Sequence, residues 1–157
     1  MKSDALRTAG LGKEVQSMDA DQLEFLERLR RGAQGTFWDY VGAELVAITP
    51  ERVIVTLQLQ PHHLNQMGIV HGGVTATLLD STMGLAAMVA RPDDDVVTTN
   101  LNVHYLTPAK TGQLKITAEL VHSSRKLITT QGHVYSETGE LCAMATGTFR
   151  VMERRRE

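Results

Sequence analysis

The chain holds a single cysteine, Cys142, so no internal disulfide is available, and this fits a reducing compartment. Charge of one sign is also missing. Sixteen Lys and Arg against eighteen Asp and Glu give a formal net charge of −2, which offers no electrostatic footprint for nucleic acid. No apolar run reaches the roughly 18 residues that a membrane span requires. The stretch Met1 to Arg7 lacks the apolar segment of a secretory signal. These absences lead to the expectation of a cytoplasmic protein with neither a nucleic-acid nor a membrane partner. There is no internal repeat and no low-complexity segment. What remains is an ordinary globular balance, 42% hydrophobic and 22% charged, over one domain's length of 157 residues.

The pattern divides the chain into a flexible N-terminus (1–18), an N-terminal helical segment (19–35), one β-rich domain (36–152) and a basic tail (153–157). Asp19 stands at capping-box spacing before Gln22, and Leu23, Leu26 and Leu29 recur three apart. The spacing predicts a short amphipathic helix over about Asp19 to Gly32, ended by Gly32 and Gly35. Gly42 to Ile48 reads as a strand, Thr49-Pro50-Glu51 as a turn, and Val53, Val55, Leu57 and Leu59 alternate along the next strand. After Pro61, residues 62–70 read as a loop. His71 to Ala90 reads as one long helix, apolar on almost every side, which predicts a buried helix. Four alternating strands follow, separated by loops at Pro108 to Gly112, Ser123 to Lys126 and Thr138-Gly139. Strands joined by short hairpins make an antiparallel sheet, and a helix apolar all round needs that sheet wrapped about it. The fold class expected is therefore α+β.

Chemistry concentrates in residues 62–90. His71-Gly72-Gly73 sits where loop becomes helix. Without Cβ atoms, the glycines allow another molecule to reach the unpaired backbone N–H groups of the first turn, and these hold an anion or polarise a carbonyl oxygen. Close packing at a bend would select glycine equally well. Asp80 is less easily explained, since it interrupts an apolar helix between Leu79 and Met83. A carboxylate desolvated there is costly unless paired, and its pKa tends to rise. It is either hydrogen-bonded to Thr77, Ser81 or nearby backbone, or it is a catalytic base or nucleophile. Eight residues of helix separate Gly72 from Asp80, a rise of about 12 Å. The two therefore do not meet on one carbonyl group within one chain. If both serve one reaction, the site is shared across a two-fold dimer.

Asn65, His71-Gly72-Gly73, Asp80 and Gly84, with Thr98 through Pro108, resemble the active-site segment and third strand of the PaaI-like acyl-CoA thioesterases of the hotdog-fold superfamily. The resemblance covers roughly Tyr40 to Val151. It implies a hotdog fold, an antiparallel sheet wrapped around one long central helix, here with an extra N-terminal helix. It further implies hydrolysis of an acyl-CoA thioester to free acid and CoA. Asp80 would be the general base or a nucleophile forming a transient anhydride. The Gly72 N–H, aided by Gly73, would polarise the carbonyl, and Asn65 would orient water or substrate. Thr98, or its neighbour Thr99, matches the place of an assisting hydroxyl. His71, Gly73, Thr99, Ser124, Arg125 and Lys126 would contact substrate, the last three near the CoA phosphates. No cofactor is implied, since CoA is part of the substrate, and the assembly implied is a homodimer as catalytic unit within a homotetramer.

Other residues read more plainly. His62, His63 and His71 lack a further ligand at recognised metal spacing, so no metal site is expected. His71 suits a cap at the helix start, and Cys142 a small apolar filler. Two competing functions remain open. A hotdog dehydratase or hydratase would use His71 with the acid, and a non-enzymatic acyl-CoA-binding regulator would need an attached DNA-binding module.

Overall fold

The computed structural model describes residues 18–49 and 51–152. The basic tail, nearly all of the N-terminal segment and Pro50 of the first predicted turn lie outside the described residues. Helix α1 spans Ala20–Ala33, and its start follows the predicted logic. The Asp19 carboxylate accepts the Gln22 N–H while the Gln22 side chain accepts the Asp19 N–H. A short helix α2, Phe37–Val41, was not anticipated. It ends at Gly42, whose φ of 80° lies in the left-handed region that favours glycine, so the first strand starts at Glu44 rather than Gly42.

Strands β1 (Glu44–Ile48) and β2 (Val53–Gln58) precede a 3-10 turn at Pro61–His63 and helix α3 (Gly72–Ala90). Strands β3 (Asp95–Tyr105), β4 (Gln113–Ser123), β5 (Leu127–Tyr135) and β6 (Leu141–Met152) follow among the described residues. All pair antiparallel in one six-stranded sheet of order β1-β2-β4-β5-β6-β3, which leaves β1 and β3 as its edges. The predicted hairpin at Thr138-Gly139 is present, with Gly139 donating to the Ser136 carbonyl.

Helix α3 departs from its reading as buried on all sides. Thr75, Leu78, Leu79, Thr82, Met83, Ala86 and Ala87 form one buried stripe against the sheet. Thr77, Asp80, Ser81, Leu85 and Met88, off that stripe, are only half-buried. A single sheet covers one side of a cylinder, and an all-apolar sequence does not reveal which side. The approach is close because two strands offer glycine. A Cβ on Gly132 or Gly147 would stand 3.0 or 3.1 Å from Met83 side-chain atoms. The same helix corrects a second expectation. An 18-residue window of α3 has a mean hydropathy of 1.3, long and apolar enough to cross a membrane by length and composition, yet its buried stripe packs on the sheet.

Candidate active site

The first turn of α3 is held by a dense set of hydrogen bonds. The His71 Nδ1 accepts the Gly73 N–H at 2.8 Å, so the histidine caps the helix as expected and occupies that donor. The Tyr105 hydroxyl donates to the Gly72 carbonyl at 2.9 Å. The His71 carbonyl accepts from Val74 and Thr75, while its N–H donates to the His63 carbonyl. Every neighbouring peptide group is thereby fixed, and the Gly72 N–H has no acceptor among the described residues. Such a donor, at the positive end of a 19-residue helix, is ready for a carbonyl oxygen or an anion.

Asn65 approaches the same place from the preceding loop. Its Oδ1 accepts the N–H groups of Met67 at 2.9 Å and Ile69 at 3.3 Å, closing a tight turn. Its Nδ2 has no acceptor among the described residues. Asn65 and Gly72 line a cavity of about 400 Å³ with Tyr105, Pro108 and Cys142. Burial pushes the Cys142 thiol above its ordinary pKa, which leaves it protonated and a poor nucleophile.

Asp80 lies elsewhere. It is half-buried rather than desolvated, and it faces a larger cavity of about 610 Å³. Its partner is neither Thr77 nor Ser81. The Thr98 hydroxyl donates to Asp80 Oδ1 at 2.8 Å. A β-bulge explains the choice between the two threonines. The β3–β6 register shifts between Thr98 and Asn100, so Thr98, opposite Phe149, falls on the same face as Leu101, opposite Gly147. The Thr99 hydroxyl turns instead to the Thr148 carbonyl at 3.0 Å.

Ser124, Arg125 and Lys126 form the β4–β5 turn, where Ser124 Oγ donates to the Leu127 carbonyl. Arg91, at the C-terminal end of α3, donates to the Ser124 carbonyl at 2.7 Å, which places this loop beyond the end of the helix opposite Gly72. The predicted residues thus separate into three groups along α3: Asn65, His71, Gly72 and Gly73 at its start, Asp80 with Thr98 midway, and the basic turn at its end.

Sequence reading missed two residues. Tyr105 read as one more alternating strand position, and its partner lies 33 residues away. His63 lay in what read as a loop, yet it is 3% exposed. Its Nδ1 accepts the Gln60 N–H, so the proton sits on Nε2, which donates to the Val41 carbonyl at 2.9 Å. Burial first, with a smaller push from His62, holds its pKa below the ordinary value against the opposing Val41 bond.

Comparison with known proteins identifies the fold and the family. Residues 67–143 match the family model described as the thioesterase superfamily. Mouse acyl-coenzyme A thioesterase 13 is 33% identical over 106 residues, 66% of this chain and 76% of that protein. A thioesterase from Haemophilus influenzae superposes with a TM-score of 0.79 at 22% identity, over 84% of this chain and 93% of that one. A single-site mutant of the phenylacetic acid degradation protein PaaI from Thermus thermophilus gives a TM-score of 0.68 at 29% identity, over 74% and 98% of the two chains. The chain belongs to the thioesterase superfamily, as a PaaI-like thioester hydrolase of the hotdog fold.

Proposed function

We propose that the substrate is an acyl-CoA thioester and that the site is completed by two chains, Gly72 from one and Asp80 from the other. The observation that carries this reading is the layout of β3. It is an 11-residue strand at the sheet edge, paired on one side with β6. An unpaired edge of that length is a template for a second strand. Two-fold antiparallel pairing of β3 with its copy, centred on Asn102, sets Leu101 opposite the partner subunit's Val103 and, across the bulge at Thr99, Thr98 opposite the partner subunit's Tyr105. Thr98 is bonded to Asp80 and Tyr105 to Gly72, so that pairing carries the carboxylate of one chain toward the helix start of the other.

The chemistry then follows. The Gly72 N–H polarises the thioester carbonyl, and Asn65 Nδ2 orients it. Asp80 keeps one oxygen for Thr98 and uses the other to take a proton from water. The water oxygen bonds to the carbonyl carbon, the C–S bond breaks, and the proton passes to the departing thiolate. Acid and free CoA result. Thiolate is a good leaving group, and a single oxyanion donor is typically worth ~3 kcal/mol, so the step requires neither metal nor cofactor. Gly73 and His71 shape the donor, Thr99 braces β3, and Ser124, Arg125 and Lys126 meet the CoA phosphates. We assign the reaction to the cytoplasm and the assembly to a homotetramer built from two such dimers.

The test is release of free thiol from an acyl-CoA panel, with Asp80→Asn as control and single turnover in ¹⁸O-water. Turnover by the wild type and its loss in Asp80→Asn support the reading. Label entering the Asp80 side chain would replace the base with an anhydride-forming nucleophile. Absence of thiol release from every acyl-CoA would overturn it, as would a fully active monomer.

A further inference from the structure

The larger cavity is walled in part by a segment outside the matched family region. Asp80, Ser81, Gly84, Leu85 and Met88 provide one side, on successive turns of α3, while Leu29 and Ala33 of α1 and Trp38 of α2 provide another. The family model matches residues 67–143 and includes neither α1 nor α2. Two charged side chains of that wall, Arg30 and Asp39, are already engaged. Arg30 donates to the Leu45 carbonyl from both Nε (3.1 Å) and Nη2 (2.7 Å), and to Glu27 from Nη1. Asp39 accepts the Gly35 N–H at 3.0 Å. Leu29, Trp38, Leu85 and Val96, by contrast, are apolar and only partly buried.

We propose that α1 and α2 close an acyl chamber that begins at Asp80 and takes a straight, apolar acyl chain of about ten carbons. This rests on the acyl-CoA reading above. The class follows from chemistry. A mostly apolar lining offers the amides of pantetheine few partners for the water they would lose, whereas a methylene chain gains about 0.8 kcal/mol for each group buried. The length follows from the helix. Asp80 to Met88 is a rise of about 12 Å, and an extended chain advances at most ~3.6 Å for every three bonds, so about ten bonds fill it. Arg30 is the positioning residue, since its paired bonds to Leu45 hold α1 against β1.

The test uses Ala33→Phe and Met88→Phe, which fill the chamber from opposite walls and leave the reacting groups untouched. Hydrolysis is measured over acetyl-, hexanoyl-, decanoyl- and 4-hydroxybenzoyl-CoA. The wild type is expected to favour decanoyl-CoA, and each variant to lose at least about tenfold on it while keeping acetyl-CoA turnover. Equal losses on every substrate, an unchanged decanoyl rate in both variants, or a wild-type preference for the hydroxybenzoyl substrate would overturn the chamber. Trp38, the chain's only tryptophan, supplies a second readout. Decanoate should shift its emission saturably in the wild type and not in Ala33→Phe. Such a shift without any thiol release would retain the chamber and discard the hydrolase reading of the site, whereas no shift overturns the chamber itself.

Discussion

The two cavities along α3 are built on different principles. At the helix start the proposed reactive group is a backbone N–H, and its direction is set by bonds from His71, Tyr105 and His63 to the surrounding peptides. Midway along the helix the proposed reactive group is one carboxylate on a mostly apolar wall, oriented by the Thr98 hydroxyl. The first arrangement is redundant, because several bonds fix the successive peptide groups around one N–H. The second has a single carboxylate and a single brace. Side-chain changes should therefore cost more at the Asp80 end than at the Gly72 end.

The largest effect is expected for Asp80→Asn. It keeps the shape and the Thr98 partner but removes the base, so kcat should fall by about 10²–10⁴-fold with an unchanged circular dichroism spectrum. Near-wild-type turnover would sink the assignment. Thr98→Val comes next. A hydrogen bond to a charged group is worth about 1.5–3 kcal/mol, so kcat should drop by about tenfold or more, while Thr99→Val leaves it unchanged. Equal losses in the two variants would erase the distinction that the β3 bulge makes between them.

Tyr105→Phe probes the redundant end and should cost less, a few-fold in kcat, in line with about 1 kcal/mol for a neutral hydrogen bond. A loss as large as that of Asp80→Asn would show the helix start to hang on one contact after all. The smallest effect is one of stability. His63 is held below its ordinary pKa, so it is neutral in both states above about pH 6.5 and adds no slope there. As pH falls through that value, the unfolded chain binds the proton first, and stability declines until the folded pKa is passed. Tm should fall between pH 7.5 and 5.5, and His63→Gln should flatten the fall. An unaltered slope would remove His63 from that role.

Much of this was legible in the sequence because it rests on local rules. Asp19 and Gln22 three apart make a capping box wherever they stand before a helix. Eight residues between Gly72 and Asp80 separate them on any regular helix, and the structure indeed lines two different cavities with them. Helix α2 was not legible. Five residues give no period, and its Gly42 stop is a conformational fact that composition does not carry.

The sequence by itself determined the order of elements, the antiparallel hairpins, the glycine-opened helix start and the odd carboxylate within an apolar helix. These depend on neighbours within a turn or two. Only the tertiary structure decided that α3 buries one stripe, that a bulge turns Thr98 rather than Thr99 to Asp80, and that Tyr105 pins Gly72. It also decided that α1 and α2 wall the cavity beside Asp80. Each of those joins groups that only folding brings together, because register and curvature are settled by packing across the whole sheet rather than by local periodicity.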